Sequence, residues 1–478
     1  MLQTLSARVL LLSALAATSV ATAANPKSRA GEPEFREVYK ELVETNTALS
    51  NGSCTLAAER MATRLKSVGL EQVQVFTAPD HPKEGGLVAV LPGSDPKAKA
   101  MLLLAHIDVV EAKREDWTRD PFVLVEENGS FYARGAMDDK AEAAIWVDTL
   151  MRYAREKFKP RRTIKLALTC GEETAGAFNG AQWLAKNHRD WIDAEFAINE
   201  GAWGEMDAQG NRLVMNVQAG EKAAQNYRIE VTNPGGHSSR PRKDNAIYQL
   251  GAALARIEAY EFPVQFTDAS RAYFSGMAKI QANKGNADVA AAMNAMVKDP
   301  ADTKAIALVS AKDPSWNATL RTTCVATMLD GGHATNALPQ RARANVNCRI
   351  FPGVTEAAVL EQLEKLVANA NADVKVTMLE VRAPASPPPP LSAKIMAPLE
   401  KLNAQYFPGV PVLPVLQAGA TDGVYLNGVG IPTYGILPLF VGPDLGNIHG
   451  LNEYLGVQSL LDARAFLYDL VKIYATQK

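Results

Sequence analysis

Short apolar runs alternate with amphipathic stretches along most of the chain. "GGLVAVLPG" and "AMLLLAHIDVV" come early, "TIKLALTCGEE" and "AEFAINEG" follow, and "IPTYGILPL" lies near the end. Continuous apolar runs of this length predict strands buried on both faces, as in a parallel sheet. Between them "DDKAEAAIWVDTLMRYAREKF" has helical periodicity and one polar face. The alternation predicts an α/β fold: a mixed, mostly parallel sheet flanked by helices.

The middle of the chain changes pattern. "AAQNYRIEVTNPGGHSS" reads as a strand and a turn, and "DNAIYQLGAALARIEAY" as an amphipathic helix. "NATLRTTCVATML" and "ARANVNCRIFPG" read as paired strands, followed by the helix "TEAAVLEQLEKLVANA" and the strand "DVKVTMLEV". That βαββαβ order predicts a small α+β domain inserted in the chain. Residues 262–315, rich in Ala and Asp, interrupt it and read as helical on composition. The Pro-rich "RAPASPPPPLS" reads as a stiff linker back to the first domain.

Composition narrows the class. With 478 residues the chain exceeds one ordinary core. It is 47% hydrophobic and 21% charged, the balance of a globular protein, and its net charge of −2 gives no electrostatic footing for nucleic acid. The first residues differ: one early arginine, an apolar stretch, then Ala21-Thr22-Ala23. This reads as a signal peptide cleaved after Ala23, since the stretch is shorter than the roughly 20 residues a membrane span needs. The expected location is therefore periplasmic or secreted, with no stable membrane span after processing.

The four cysteines, Cys54, Cys170, Cys324 and Cys348, have no zinc-ribbon spacing. Export would permit disulfides. Cys324 and Cys348 lie on the two strands flanking "DGGHATNALP", where either a cross-strand bridge or two separate thiols fits. Cys170, beside a glutamate pair, reads as a packing residue, since no histidine lies near it in sequence.

Metal-competent residues then fall at strand ends. His106 and Asp108 close one apolar run, Glu172 and Glu173 a second, and Glu200 a third. In open α/β sheets ligands bind outside the carboxyl ends of strands. Asp138 and Asp139 precede a predicted helix, and His449 lies in "NIHGLNEY". Imidazoles and carboxylates without thiolate suit zinc, and the set is too large for one tetrahedral ion. Two ions sharing a carboxylate, roughly 3.5–4 Å apart, fit better. One glutamate of the pair would ligate, leaving its neighbour as general base. The dications would also account for two adjacent carboxylates at a buried strand end.

These motifs resemble a known family. "HIDVV", "FYARGAMDDK", "GEE", "NEG", "GGHSSRP", "NALPQRARANVNCRIFPG" and "GLNEY", in that order, are similar to the di-zinc exopeptidases that include glutamate carboxypeptidase, aminoacylase, carnosinase and carboxypeptidase S. The chain looks most like the carboxypeptidase S branch. The resemblance implies a zinc-peptidase-like catalytic domain in two segments, 24–220 and 386–478. It also implies an inserted lid or dimerisation domain with its helical insertion over 221–385, and a homodimer through that domain is left open. It implies His106 and Glu200 on the first ion, Glu173 and His449 on the second, and Asp138 bridging. Asp108 would orient the His106 ring, and Glu172 would be the general acid/base. His237 would stabilise the oxyanion, and Asn336 and Arg349 would contact substrate.

The implied cofactors are two zinc ions, with cobalt or manganese as substitutes. The implied substrate is a peptide or an N-acyl amino acid, cut at an amide next to a free carboxylate. Two positions depart from the family: Gly171, where relatives often carry Asp, and Ala141, where they usually carry Gly. Of the other histidines, His81 and His188 read as surface residues and His333 as a loop residue. The competing readings are a di-zinc aminopeptidase, which lacks the inserted domain, and a non-catalytic peptide-binding relative.

Overall fold

Met101–His106 is buried at all six positions because it has a parallel neighbour on each side, Ile164–Thr169 and Phe196–Asn199. A strand covered on both faces needs apolar residues throughout, which is why "MLLLA" does not alternate. The computed structural model of the chain describes residues 30–174, 178–369, 372–379 and 384–478. The expected signal peptide lies outside the described residues.

The large sheet runs in the order Gln72–Ala78, His81–Leu91, Ile164–Thr169, Met101–His106, Phe196–Asn199, Thr433–Gly435, Arg212–Glu221, Gly204–Met206 and Phe440–Val441. Val412–Gln417 pairs in parallel with Arg212–Glu221. The fold is mixed α/β. Its parallel heart is the four strands from Ile164–Thr169 to Thr433–Gly435. One expected parallel strand is turned around: "GGLVAVL" lies antiparallel to Ile164–Thr169. It is reached from Gln72–Ala78 by a tight reversal, with Ala78 paired to His81, and so short a connection can only join antiparallel strands. The sheet is covered by helices such as Lys140–Arg155 and Val457–Thr476, whose Trp146, Leu150, Phe466 and Leu470 are fully buried.

A second, antiparallel sheet is ordered Thr323–Gly331, Arg341–Ile350, Ala223–Thr232, Asp373–Met378. Helices Ala246–Glu258 and Glu356–Val367 share its core, through Leu250, Ala253, Val359 and Leu363. Both start on side-chain caps, Asn245 accepting from the Ile247 and Tyr248 amides and Thr355 from that of Ala358. Cys324 and Cys348 face each other in the register and are bonded, which decides between the two readings left by the sequence.

The interrupting stretch is helical: Asp268–Asn283, Ala287–Lys298, Thr303–Lys312 and Pro314–Ala318. It packs on the large sheet, where Phe274, Met293 and Trp316 share a core with Val214 and Leu413. Among the described residues no helix is long and apolar enough to cross a membrane.

Glu221 ends its strand buried, where Oε2 accepts from the Thr421 amide at 2.6 Å. Burial pushes its carboxyl from 4.5 up to about 7. Between those values the folded chain binds more protons than the unfolded chain, so stability falls as pH rises across the window. The full cost of ionisation is roughly 3 kcal/mol. Glu221→Gln is therefore expected to gain stability relative to wild type between pH 5 and pH 8. Melting temperatures at both pH values check this, and a difference that does not change with pH would count against it.

Candidate metal centre

Three strand ends bring the chemistry together. His106 is the last residue of its strand and pairs in register with Thr169, while Glu200 follows Phe196–Asn199 directly. His106 Nε2 lies 3.0 Å from Asp138 Oδ1 and 3.8 Å from Glu200 Oε1. His449 Nε2 lies 3.2 Å from Asp138 Oδ2 and 3.0 Å from Glu173 Oε2. Two three-residue groups result, His106–Asp138–Glu200 and Asp138–Glu173–His449, each with its ligand atoms within 4.8 Å of one another. Asp138 belongs to both and turns one oxygen to each histidine. Its peptide bond to Asp139 is cis.

The electrostatics call for cations. Burial alone would lower the His106 pKa, yet Asp108, Asp138 and the Glu200 charge raise it well above the usual imidazole range. Hydrogen bonds to Asp138 and Glu173 push His449 up to about 10. Protons here occupy positions that a dication satisfies better, and the donors are imidazole and carboxylate, a set that suits zinc. Burial raises Glu200 and Glu172 well above the carboxylate range, with Glu200 adding to Glu172. Glu142 is buried close by, and among the described residues neither of its carboxylate oxygens has a partner.

The glutamate pair is held by its backbone. The Glu172 amide donates to Asp108 Oδ1 at 3.3 Å and the Glu173 amide to Asp108 Oδ2 at 3.0 Å. Asp108 therefore does more than face a ring. The nearest acceptor to His106 Nδ1 is the Asp108 backbone oxygen at 3.2 Å, with its Oδ1 at 3.6 Å. Glu172 belongs to neither three-residue group.

Cys170 is not a free packing thiol. It is bonded to Cys54, the first residue of helix Cys54–Ser67 and 116 positions away. That bond fixes the start of the glutamate loop to a helix, and a link closing so long a loop contributes about 2–4 kcal/mol. Gly171 has φ +94°, and a Cβ there would lie 1.7 Å from the Phe178 carbonyl oxygen. Asn179 Nδ2 donates to the Gly171 oxygen at 3.2 Å and to Asp422 Oδ1 at 2.7 Å. The Thr169 hydroxyl donates to Asp422 Oδ2 at 2.7 Å.

Glu453 is a positioning residue that sequence reasoning missed. Fully buried, it accepts from Arg134 at 2.7 Å and from the amides of Gly135, Met137 and Asp138 at 3.0, 2.8 and 3.2 Å. Arg134 also donates to the Gly450 oxygen at 2.9 Å, and Tyr454–Gly456 pairs with Ser130–Tyr132. The loops carrying Asp138 and His449 are thereby tied together. The "GLNEY" motif was the available signal for it.

The remaining candidates lie apart. His237 pairs in register with Ala337, and the Ser238 amide donates to the Asn336 oxygen at 3.0 Å, so exposed His237 and Asn336 are brought together by a short two-stranded ladder between distant parts of the chain. Arg349 sits on Arg341–Ile350, half-buried, and burial lowers its guanidinium pKa. Among the described residues none of these three forms a hydrogen bond or ion pair with the five-residue cluster, and Arg349 pairs with no carboxylate. His81 and His188 are more than surface residues: His81 stacks on Phe178, and His188 on Trp191. His333 is exposed.

All five cluster residues and Glu172 lie within residues 102–473, which match the pattern of a known hydrolase family. The chain belongs to peptidase family M20/M25/M40. The human N-fatty-acyl-amino acid synthase/hydrolase PM20D1 is 30% identical over 386 residues, covering 80% of this chain and 75% of that protein. The probable carboxypeptidase S-like 2 of Dictyostelium discoideum is 26% identical over 388 residues, covering 80% and 72%. The M20 family metallo-carboxypeptidase Sso-CP2 of Sulfolobus solfataricus superposes with a TM-score of 0.69 at 19% identity, over 92% of this chain and 99% of that one. Membership makes the chain a hydrolase of the metallopeptidase and amidohydrolase type, metal-dependent like its family, as its motifs led us to expect.

Proposed function

We propose that the chain is an exported exopeptidase or N-acyl amino acid hydrolase that cuts an amide bond next to a free carboxylate. The observation that carries this reading is the pair of three-residue groups sharing Asp138, with Glu172 beside them and outside both. His106, Asp138 and Glu200 would hold one dication, and Asp138, Glu173 and His449 the other. Zinc suits the donors, with cobalt or manganese as substitutes. Bound there, the ions would supply Lewis acidity, polarising the scissile carbonyl and acidifying a water molecule.

The chain's own residues move the proton and hold the substrate. Glu172 takes a proton from the attacking water on its carboxylate and delivers it to the departing amine nitrogen. Burial raises its proton affinity, as a group that must accept and release a proton near neutrality requires. Asp108 holds the amides of both glutamates, so the base and the ligand keep a fixed spacing. Arg349, which has no carboxylate partner among the described residues, grips the substrate carboxylate, with Asn336 assisting. His237 donates to the developing oxyanion.

These three residues belong to the inserted segment 221–385, which we read as a lid and dimerisation domain between the catalytic segments 24–220 and 386–478. His237 then reaches the centre by lid closure or from a second copy. In support of a homodimer, Val325, Met328 and Leu329 are exposed on the edge strand Thr323–Gly331. A monomer by light scattering would remove that part. Export rests on the leading segment and is supported by two disulfides.

The experiment is a substrate panel with free and blocked termini. It uses processed protein, whose first residue is expected to be Ala24, with metal analysis of the same sample. Two dications per chain and turnover of N-blocked substrates with a free carboxylate are expected. A strict need for a free amino end would sink the reading.

A further inference from the structure

A cavity of about 250 Å³ lies where the helical insertion meets the large sheet. Trp203, Glu205 and Asn216 line it from the sheet side, Tyr273 and Trp316 from the insertion, and Leu445 from the loop leading to His449. Trp203 stands three residues beyond Glu200 and Leu445 four before His449, so the segments presenting two of the cluster residues also build this wall.

Two of its polar groups, Asn216 Oδ1 and the Glu205 carboxylate, are acceptors with capacity for a donor. Asn216 is 7% exposed; its Nδ2 donates to Glu205 Oε1 at 2.8 Å, and among the described residues its own Oδ1 has no partner. Among the described residues no lysine, arginine or histidine nitrogen pairs with the Glu205 carboxylate. Trp316 Nε1 donates to Tyr273 Oη at 3.3 Å, which spends the indole N–H and leaves the two rings as apolar, electron-rich walls. An anion would meet a carboxylate here. A purely apolar group would leave Asn216 Oδ1 unsatisfied, at a cost of about 1–3 kcal/mol. An organic cation fits the two acceptors and the rings together: its N–H groups reach Asn216 and Glu205, its charge is met by Glu205, and the rings favour it through their π faces. The volume is below the 300 Å³ or so of a pocket for a whole ligand, and so suits one side chain.

We propose that this cavity is a subsite for an organic cation, the ammonium or guanidinium group of a lysine- or arginine-like substrate. The assignment to substrate rests on the hydrolase reading above; the cation site itself does not.

The test has two arms. In the first, kcat/KM is measured on N-blocked dipeptides carrying lysine or the isosteric norleucine at each side of the scissile amide. Wild type is expected to prefer lysine at one position. Glu205→Gln keeps an acceptor for Asn216, and should lower the lysine-to-norleucine ratio by about tenfold, the loss of one charged hydrogen bond. Norleucine turnover should stay within about twofold. Trp203→Leu should lower the same ratio in the same direction. In the second arm, n-butylammonium is titrated by calorimetry, where binding is expected to weaken about tenfold in Glu205→Gln. It should also inhibit competitively against the lysine substrate. An unchanged ratio in both variants, or butylammonium binding that does not depend on Glu205, overturns the site. Glu205-dependent but non-competitive binding overturns its assignment to substrate. If wild type hydrolyses no amide, the hydrolase reading fails, and the calorimetric arm alone decides the cation site.

Discussion

Glu172→Gln is expected to lower kcat by about 10²–10⁴-fold, the usual contribution of a positioned general base. Metal content should not change. Glutamine has the same shape but cannot take a proton, and Glu172 belongs to neither three-residue group at the centre. The backbone is indifferent to the change, because the Asp108 carboxylate holds the amides of residues 172 and 173 rather than their side chains. KM should move little, since the lost interaction is made only as the proton moves. Steady-state kinetics with metal analysis on the same preparation read this directly. Glu173→Gln is the control. Its carboxylate touches His449, so it should lose metal first and activity as a consequence. Unimpaired turnover in Glu172→Gln would remove Glu172 from the chemistry. Metal loss in that variant would make it a ligand instead.

Much of this site could be read in the sequence, because its parts obey a local rule. A strand buried between parallel neighbours is largely apolar, so His106, Glu172, Glu173 and Glu200 stand out as the first ionisable residues at the ends of such runs. The helical insertion was legible in the same way, by composition. Its packing face was not, because Val214 and Leu413, which complete its core, lie on strands outside it.

What escaped depends on partners far away in sequence. Glu453 secures the Asp138 loop from 315 positions away, and Asp422 braces Asn179 across 243. Glu453 at least lay in the "GLNEY" motif, whereas Asp422, a lone buried carboxylate, has no local signature that separates it from a surface one. The bond between Cys54 and Cys170 is the same case, two isolated cysteines with nothing nearby to pair them. The direction of His81–Leu91 was hidden for a further reason. Burial on both faces makes a strand apolar whichever way it runs, so direction is carried by the connection before it and not by its own residues.

Gly171→Ala should damage both the fold and the chemistry. The residue has φ +94°, which costs an alanine about 1–3 kcal/mol by itself. Its Cβ would also lie 1.7 Å from the Phe178 carbonyl oxygen, a backbone atom that no rotamer change can move aside. Phe178 leads into the helix Gly180–Asn187, whose cap Asn179 is held by Asp422, while on the other side Cys170 is bonded to Cys54. With both flanks fixed, relief has to come from the glutamate loop, and a total loss of roughly 4 kcal/mol is expected. A shift there also breaks the hydrogen bonds from the Glu172 and Glu173 amides to Asp108. Displacement of these carboxylates by about 1 Å is expected to cost some 100-fold in kcat/KM. The two effects separate experimentally, by melting temperature on one side and kcat/KM per folded molecule on the other. A lower melting temperature with full activity would show that the loop can yield without moving its glutamates. No change in either would mean that the close approach of Gly171 to Phe178 does not constrain the site.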